Sequence, residues 1–172
     1  MARSDRLGDD RKPRLMSRLH VVLVEPEIPQ NTGNIARTCA ATGARLHLVK
    51  PLGFFVRDRH LRRAGIDYWD DADVTYHDDL AAFLAECRGE RLAFFSRKAV
   101  GTYDRVEWPE SVDLFLVFGK ESTGLPDDLI EANRERSFRI PMTADVRSLN
   151  LAGAATVVVY DLLRRKGFPG LG

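Results

Sequence analysis

The fold is decided by the stretch Val112-Asp113-Leu114-Phe115-Leu116-Val117-Phe118, followed directly by Gly119-Lys120-Glu121-Ser122-Thr123-Gly124-Leu125-Pro126. The first half is an apolar run rich in branched and aromatic side chains, typical of a strand that is buried on both faces of a parallel sheet. The second half combines two glycines with polar side chains. A strand end followed by a glycine turn and polar groups indicates a ligand site at the carboxyl edge of an α/β sheet.

The rest of the chain alternates between strand and helix patterns on both sides of this stretch. Strands are predicted at Leu19–Glu25, Arg45–Val49, Val74–His77, Arg91–Ser96, Val112–Phe118 and Ser137–Ile140. Helices are predicted at Pro29–Thr42, where Gly43 stops the helix, and at Asp58–Ala64, Asp78–Cys87, Pro126–Asn133 and Leu149–Lys166. This alternation is typical of an α/β fold, so we expect a mainly parallel sheet with helices on both faces.

The length of the chain predicts one domain, and its net charge predicts no strong overall electrostatic field. The chain has 172 residues and a net charge of +1, so any RNA-binding surface has to be a local basic patch. Residues 1–18 alternate basic and acidic side chains with almost nothing apolar, which predicts a disordered tail; an RNA-binding arm is the alternative. Residues 19–172 are then predicted to form a single domain.

The sequence lacks the motifs of several common kinds of site, which excludes these sites. The sequence Gly119-Lys120-Glu121-Ser122 has some likeness to a phosphate loop, but Leu114 stands where that loop needs a glycine. No G-x-G-x-x-G follows a predicted strand, and no G-x-S-x-G is present. The four histidines are scattered without ligand spacing, so each is predicted to be structural or solvated, and no metal is expected.

Cysteine usage and hydropathy favour a cytoplasmic protein. Cys39 and Cys87 are predicted to be reduced core thiols, because disulfides are rare in the cytosol. No apolar run is long enough to span a bilayer, and the amino terminus lacks the apolar stretch of a signal peptide. We therefore expect a cytoplasmic location and no membrane partner.

The final predicted helix is apolar nearly all round, which indicates burial on more than one side. One face comprises Leu151, Ala154, Ala155, Val158, Val159 and Leu162. The other face consists mostly of small residues: Ala152, Gly153, Thr156, Val157 and Tyr160. The first face can pack on the sheet and the second predicts the contact of a homodimer; a monomeric core that covers both faces is the alternative.

Two more polar clusters accompany the opening stretch. They are Asn31-Thr32-Gly33-Asn34-Ile35-Ala36-Arg37, and Ile140-Pro141-Met142 followed by Arg147-Ser148-Leu149-Asn150-Leu151. In this order the three clusters resemble the motifs N-x-G-x-x-x-R, F-G-x-E-x-x-G-L-P and I-P-M with R-S-L-N-L of the SPOUT superfamily, the trefoil-knotted RNA methyltransferases. Residues 24–29 and 61–68 resemble more narrowly the small tRNA (cytidine(34)-2′-O)-methyltransferases.

The resemblance implies both a fold and an activity. In this family the carboxy-terminal segment passes through a loop, and the resulting trefoil knot forms the pocket for S-adenosylmethionine. The implied reaction is methylation of the ribose 2′-oxygen of cytidine or uridine 34 in the anticodon loop of tRNA, by a homodimer. A ribose elsewhere in tRNA or rRNA is the alternative target. A flavodoxin-like nucleotide-binding module and a catalytically silent RNA-binding protein are the alternative functions.

The resemblance also assigns candidate residues. Those expected to bind the cofactor are Phe95, Gly119, Glu121, Gly124, Ile140, Met142, Ser148 and Leu149. Those expected to bind the substrate are Asn31, Asn34, Arg37, Arg62 and Arg63, and the catalytic group comprises Arg37, Glu121, Ser148 and Asn150. A guanidinium stays protonated, so Arg37 is expected to stabilise a forming alkoxide. Glu121 either favours the sulfonium or holds Arg37 or another loop group in place.

Overall fold

Seven strands and four helices make up the part of the protein that the structure describes. This computed structural model describes residues 17–55 and 72–172. The strands are β1 (Leu19–Val24), β2 (Arg45–Val49), β3 (Val74–His77), β4 (Arg91–Phe95), β5 (Gly101–Thr102), β6 (Leu114–Phe118) and β7 (Ser137–Arg139). The helices are α1 (Pro29–Thr42), α2 (Leu80–Glu86), α3 (Asp127–Ala132) and α4 (Leu151–Arg165), with short 3₁₀ turns at Tyr103–Arg105 and Arg134–Arg136.

All seven strands belong to one sheet, in the order β3-β2-β1-β6-β4-β7-β5. Every adjacent pair is parallel, which confirms the predicted sheet. At the centre, Leu23 of β1 is in register with Phe118 of β6. The loops that follow these two strands therefore leave the sheet side by side, although they are far apart in the sequence.

The alternation of side chains along the central strand supports a helical layer on each face of the sheet. Leu19, Val21 and Leu23 of β1 belong to a core that includes residues of α1 and α4. Val22 and Val24 belong to the opposite core, which includes residues of α2 and α3. The expectation of helices on both faces is confirmed, and burial on both faces explains why every residue of β1 except His20 is apolar.

Differences from the sequence-based boundaries are local. β5 is not among the predicted strands, because Gly101 and Thr102 are too few to give a pattern. α4 begins at Leu151 because the side chain of Asn150 accepts hydrogen bonds from the next backbone N–H groups and so caps the helix. The predicted helix Asp58–Ala64 lies outside the described residues.

The two predicted faces of α4 differ in burial. Ala155, Val158, Val159 and Leu162 of the first face are buried in the core, as predicted. On the second face Ala152 is buried as well, whereas Gly153, Val157 and Tyr160 are exposed. A single copy therefore leaves a stripe of three residues uncovered along α4.

The two cysteines are core thiols, as predicted. Cys39 and Cys87 are buried free thiols, and burial raises their pKa to about 12 and about 11, respectively.

Ser17 and Arg18, at the end of the predicted tail, hydrogen-bond to residues of the 109–113 segment, whereas residues 1–16 lie outside the described part. Among the described helices, none is long and apolar enough to cross a membrane. The expected knot stays a prediction.

Candidate active site

A cleft of about 690 Å³ opens at the carboxyl edge of the sheet, next to the ends of β4, β6 and β7. Its volume falls within the range of about 300–1,000 Å³ that is usual for small-molecule sites. All eight residues expected to bind the cofactor line it: Phe95, Gly119, Glu121, Gly124, Ile140, Met142, Ser148 and Leu149. Asn31 and Asn150 line it as well, so the three sequence clusters meet at one place.

The loop after β6 closes so tightly that Gly119 cannot carry a side chain. A Cβ at this position would lie 2.1 Å from the carbonyl carbon of Gly124 and 2.2 Å from the nitrogen of Leu125. The N–H of Gly124 donates to the carbonyl of Lys120 at 2.9 Å, and the φ of Gly124 is +74°. Both glycines are required by the loop itself, which can therefore present its backbone to the cleft.

Glu121 holds the amino-terminal end of α1. Its carboxylate accepts hydrogen bonds from the backbone N–H of Glu27 at 2.7 Å, the N–H of Ile28 at 3.2 Å and Nδ2 of Asn31 at 2.9 Å. Ile28 precedes α1 and has no side chain that can cap it, so a carboxylate from a distant loop takes this role beside the positive end of the helix. Of the roles left open for Glu121, the geometry favours holding a loop group in place.

Asn31 connects the starts of two helices. While Nδ2 of Asn31 donates to Glu121, its Oδ1 accepts a hydrogen bond from Nδ2 of Asn150 at 2.9 Å. The oxygen of Asn150 in turn accepts from the N–H groups of Ala152 and Gly153, at 3.0 and 3.2 Å. Asn31 is only 5% exposed, so the geometry favours a positioning role for it, whereas the resemblance implies a substrate contact. We call these three residues the Glu121–Asn31–Asn150 chain.

A second set of contacts joins the loop after β1 to the loop after β6. Nζ of Lys120 lies 2.6 Å from Oε2 of Glu25, and this hydrogen bond raises the pKa of Lys120. The carboxylate of Glu27 accepts from the N–H and the hydroxyl of Ser122, both at 2.9 Å, and these bonds lower the pKa of Glu27. The sequence alone assigns no role to Glu25 or Glu27, because the order of residues does not show which loops the sheet places side by side.

Apolar side chains give the cleft a flat-walled part. The rings of Phe95 and Phe118 stack with their centroids 4.7 Å apart and their planes 13° apart. Ile140, Met142 and Leu149 line the same cleft, and Leu149 is 43% exposed. Aromatic and branched side chains of this kind suit a planar heteroaromatic ring.

The segment 141–149 offers backbone groups to a ligand. The structure shows one backbone–backbone hydrogen bond within it, from the N–H of Val146 to the carbonyl of Thr143 at 3.3 Å. Among the described residues, the other N–H and C=O groups of this exposed segment have no backbone partner and can pair with the polar edge of a ring. This arrangement allows recognition without charged side chains.

The cleft also contains three arginines that have no carboxylate partner among the described residues. Nζ of Lys98 pairs with Asp127 at 2.6 Å. By contrast, within residues 17–55 and 72–172 no carboxylate lies at ion-pair distance from Arg97, Arg139 or Arg147, which also line the cleft. An anionic group that enters the cleft therefore meets arginines that are not already paired with acids.

Two of the expected substrate-binding residues that the structure describes do not line the cleft. Asn34 and Arg37 lie on the exposed side of α1. Arg62 and Arg63 lie outside the described residues. The cleft of a single copy is thus lined by the candidate cofactor residues without the candidate catalytic cation.

Comparison with known protein sequences identifies close relatives. Residues 18–160 match the SpoU rRNA Methylase family. A tRNA (cytidine(34)-2′-O)-methyltransferase of Escherichia coli K12 is 46% identical over 153 residues, which cover 88% of this chain and 96% of that protein. The similarity therefore includes all three polar clusters and nearly the whole described fold.

Solved structures agree with the sequence comparison. One that concerns the 2′-OH methylation of C/U34 on tRNA is 45% identical, has a TM-score of 0.81, and is matched over 88% of this chain and 97% of that chain. An RNA methyltransferase of Bacillus anthracis is 44% identical with a TM-score of 0.84, over 89% and 97% of the two chains. Both share the architecture described above over nearly their full length.

Proposed function

The chain belongs to the SpoU methylase family, and from this premise we propose that it transfers a methyl group from S-adenosylmethionine to the ribose 2′-oxygen of nucleotide 34 of tRNA. The substrate nucleotide is a cytidine or uridine in the anticodon loop, and the reaction takes place in the cytoplasm. The cofactor is bound in a trefoil knot formed around the cleft.

The observation that carries this proposal is the Glu121–Asn31–Asn150 chain of hydrogen bonds. It joins one residue from each of the three polar clusters and fixes the starts of α1 and α4 against the loop after β6. A module that only binds a nucleotide has no need for the first cluster. Here that cluster is tied directly to the cofactor cleft, and it places Arg37 on the helix that Glu121 and Asn31 orient.

The chemistry of the cleft fits S-adenosylmethionine. Ile140, Met142 and Leu149 would enclose the adenine ring, and the exposed backbone of 141–149 would pair with its polar edge. The closed loop from Gly119 supplies a wall of backbone atoms. When bound, the cofactor supplies a methyl group on a positively charged sulfonium.

Arg37 supplies the cation that the substrate hydroxyl needs. During transfer of this methyl group to the 2′-oxygen, the hydroxyl proton would leave to a phosphate oxygen or to water. A guanidinium is effectively always protonated, so it lowers the pKa of a neighbouring hydroxyl and stabilises the developing negative charge without accepting the proton itself. Asn34 and Ser148 orient the ribose.

The RNA backbone is held by local positive charge. Arg97, Arg139 and Arg147 line the cleft without a carboxylate partner among the described residues, so they can pair with phosphates close to the reacting nucleotide. Arg62 and Arg63 extend this surface. Because the net charge is only +1, the affinity for tRNA is modest and falls steeply with salt.

The functional form is a homodimer in which Arg37 of one copy acts at the cleft of the other. Arg37 lies on the exposed side of α1, and α1 packs on α4, where the hydroxyls of Thr38 and Thr156 lie 2.9 Å apart. A Cβ at the exposed Gly153 of α4 would meet nothing within 4 Å. A helical glycine costs about 0.5–1 kcal/mol relative to alanine, so close approach of a second helix gives this glycine a reason.

The target nucleotide can be tested in tRNA from a strain that lacks the gene. We expect 2′-O-methylation of nucleotide 34 to disappear from a subset of tRNAs and to return with the wild-type gene. The gene for Arg37→Ala should not restore it. Retention at nucleotide 34 together with loss at another ribose would contradict the assigned target.

The dimer can be tested by mixing two inactive variants. Arg37→Ala keeps its cleft, whereas Asn150→Ala keeps its arginine, so a mixed dimer contains one complete site. Random reassociation should restore about a quarter of wild-type turnover if the site is shared between copies. If half of all dimers are mixed and no turnover is restored, Arg37 acts within its own copy.

A further inference from the structure

Three buried histidines form a continuous row across β1, β2 and β3, separate from the residues of the cleft. Nδ1 of His20 lies 2.8 Å from Nε2 of His47, and Nδ1 of His47 lies 2.9 Å from Nε2 of His77. At one end Nε2 of His20 is 3.2 Å from Oδ2 of Asp113. At the other end Nδ1 of His77 is 3.0 Å from Oε2 of Glu86. We call these three imidazoles the histidine row.

The row lies in an apolar environment. The rings of His20 and Phe115 stack with their centroids 4.1 Å apart, and His77 meets the edge of Phe83 at 5.1 Å. The three histidines are between 3 and 7% exposed. Among the described residues, no group of three or more histidines, cysteines or acids could hold a metal ion. The imidazoles therefore interact with one another and with the two carboxylates through protons.

The direction of these hydrogen bonds follows from Asp113. Its Oδ1 accepts from the backbone N–H of Arg18 at 2.8 Å, and its Oδ2 lies in hydrogen-bond geometry with Nε2 of His20, which therefore carries the proton between them. The contact of His77 with Glu86 lacks this geometry, so Glu86 does not set the direction of the row. A neutral imidazole has one N–H. Nδ1 of His20 therefore accepts from Nε2 of His47, and Nδ1 of His47 accepts from Nε2 of His77.

This order leaves an unprotonated nitrogen at the far end of the row. Nδ1 of His77 is buried and has no aligned hydrogen-bond partner in the described part of the chain, although the carboxylate of Glu86 is 3.0 Å away. Two acceptors at this distance repel each other. We propose that the histidine row is a proton-binding site: one added proton binds Nδ1 of His77 and turns this contact into an ion pair that holds α2 against β3.

The charges around the row favour this end for the proton. Among the described residues, the charged groups that interact with it are Arg18, Arg45, Asp113 and Glu86. Burial lowers the pKa of His20, although Asp113 opposes this shift, and burial lowers the pKa of His47 to about 3, so both imidazoles bind a proton less readily than a free histidine. Glu86, which is 63% exposed, provides a negative charge only at the His77 end.

The arrangement can be measured by nitrogen-15 NMR of the full chain with labelled histidine. At pH 8 we expect protons on Nε2 and none on Nδ1 in all three imidazoles of the row. On acidification, Nδ1 of His77 should gain a proton before either nitrogen of His20 or His47 changes. A proton on Nδ1 of His20 or His47 at pH 8 would overturn the proposed direction.

Asp113→Asn provides the decisive variant. The N–H of Arg18 still needs an acceptor, so the amide oxygen takes the place of Oδ1 and the NH₂ group faces Nε2 of His20. The row should then reverse, with protons on Nδ1 throughout and His77 donating to Glu86. In the control Glu86→Gln, His20 and His47 should keep protons on Nε2. Unchanged tautomers in folded Asp113→Asn would refute the proposal; if this variant does not fold, the wild-type tautomers decide alone.

Discussion

Two sets of linked polar side chains lie at different places on the same sheet, and they differ in the groups at their ends. The Glu121–Asn31–Asn150 chain lies at the carboxyl edge and ends on backbone N–H groups at the starts of α1 and α4. The histidine row lies inside the opposite core layer and ends on two carboxylates. A chain that ends on the backbone fixes loop geometry at any ordinary pH, whereas one that ends on acids stores and releases protons. The first suits a binding site, and the second suits a response to pH.

The two chains also differ in how visible they are in the sequence. The residues of the first belong to clusters such as 118–126, whose composition can be interpreted locally because a glycine loop needs its glycines and polar groups together. The histidines of the second are 27 and 30 residues apart, and only the register of β1, β2 and β3 brings them together. Their prediction as structural or solvated residues is correct for the burial of these three, but nothing in the sequence shows that they are linked.

The same limit explains what could be predicted of the active site. The alternation of patterns is sufficient to predict the parallel sheet, and the clusters identify residues that line the cleft. The contacts of Glu25 with Lys120 and of Glu27 with Ser122 depend on strand order, so they could not be foreseen. The exposed position of Arg37, outside the cleft of its own copy, likewise follows from three-dimensional packing alone.

Arg37→Ala should have the largest effect on the carboxyl-edge site. Loss of the cation that stabilises the transition state is expected to lower turnover by roughly 10²–10³-fold. Calorimetry should show near-normal affinity for S-adenosylmethionine, because Arg37 does not line the cleft. Arg37→Lys should not restore the rate if a planar, forked donor is required. Near-wild-type methylation by the alanine variant would refute the role.

Gly119→Ala should weaken cofactor binding strongly, with less direct effect on the rest of the fold. Its Cβ would lie 2.1 Å from the backbone of Gly124, so the loop has to open. Gly172→Ala is the matched control, because its Cβ would meet nothing within 4 Å and Gly172 lies outside both the cleft and the exposed stripe of α4. Calorimetry should show at least about tenfold weaker binding for the first variant and unchanged binding for the second. Equal affinities would show that the tight turn is dispensable.

Glu121→Gln should lower the free energy of unfolding more than Glu27→Gln does. An amide offers one accepting oxygen to donors that now share a carboxylate, which costs about 1–3 kcal/mol for a partly buried group. Glu27→Gln changes a half-buried carboxylate whose contacts with Ser122 lie at the surface, so its cost should be smaller. Chemical denaturation measures both. A larger loss in Glu27→Gln would reverse the assigned importance of the two loops.

The two buried histidines with a lowered pKa, His20 and His47, should make the stability depend on pH and leave the cleft unaffected. Burial lowers the pKa of His20 and His47 from 6.5, so the unfolded chain binds more protons below that pH, and the free energy of unfolding falls as the pH falls. The slope is at most about 1.4 kcal/mol per pH unit for each histidine. His47→Gln should flatten it in denaturation series from pH 8 to 5. An unchanged slope would contradict the burial of a neutral imidazole.

The central claim is that this cleft, with Arg37, methylates the 2′-oxygen of nucleotide 34. The purified protein is incubated with S-adenosylmethionine labelled in the methyl group and with an anticodon stem-loop RNA. The nucleosides of the RNA are then analysed for label. A matched stem-loop carries 2′-deoxynucleotide 34. We predict label in 2′-O-methylated nucleotide 34 of the first RNA and none in the second. Label on a base, or equal incorporation into both RNAs, would contradict the claim.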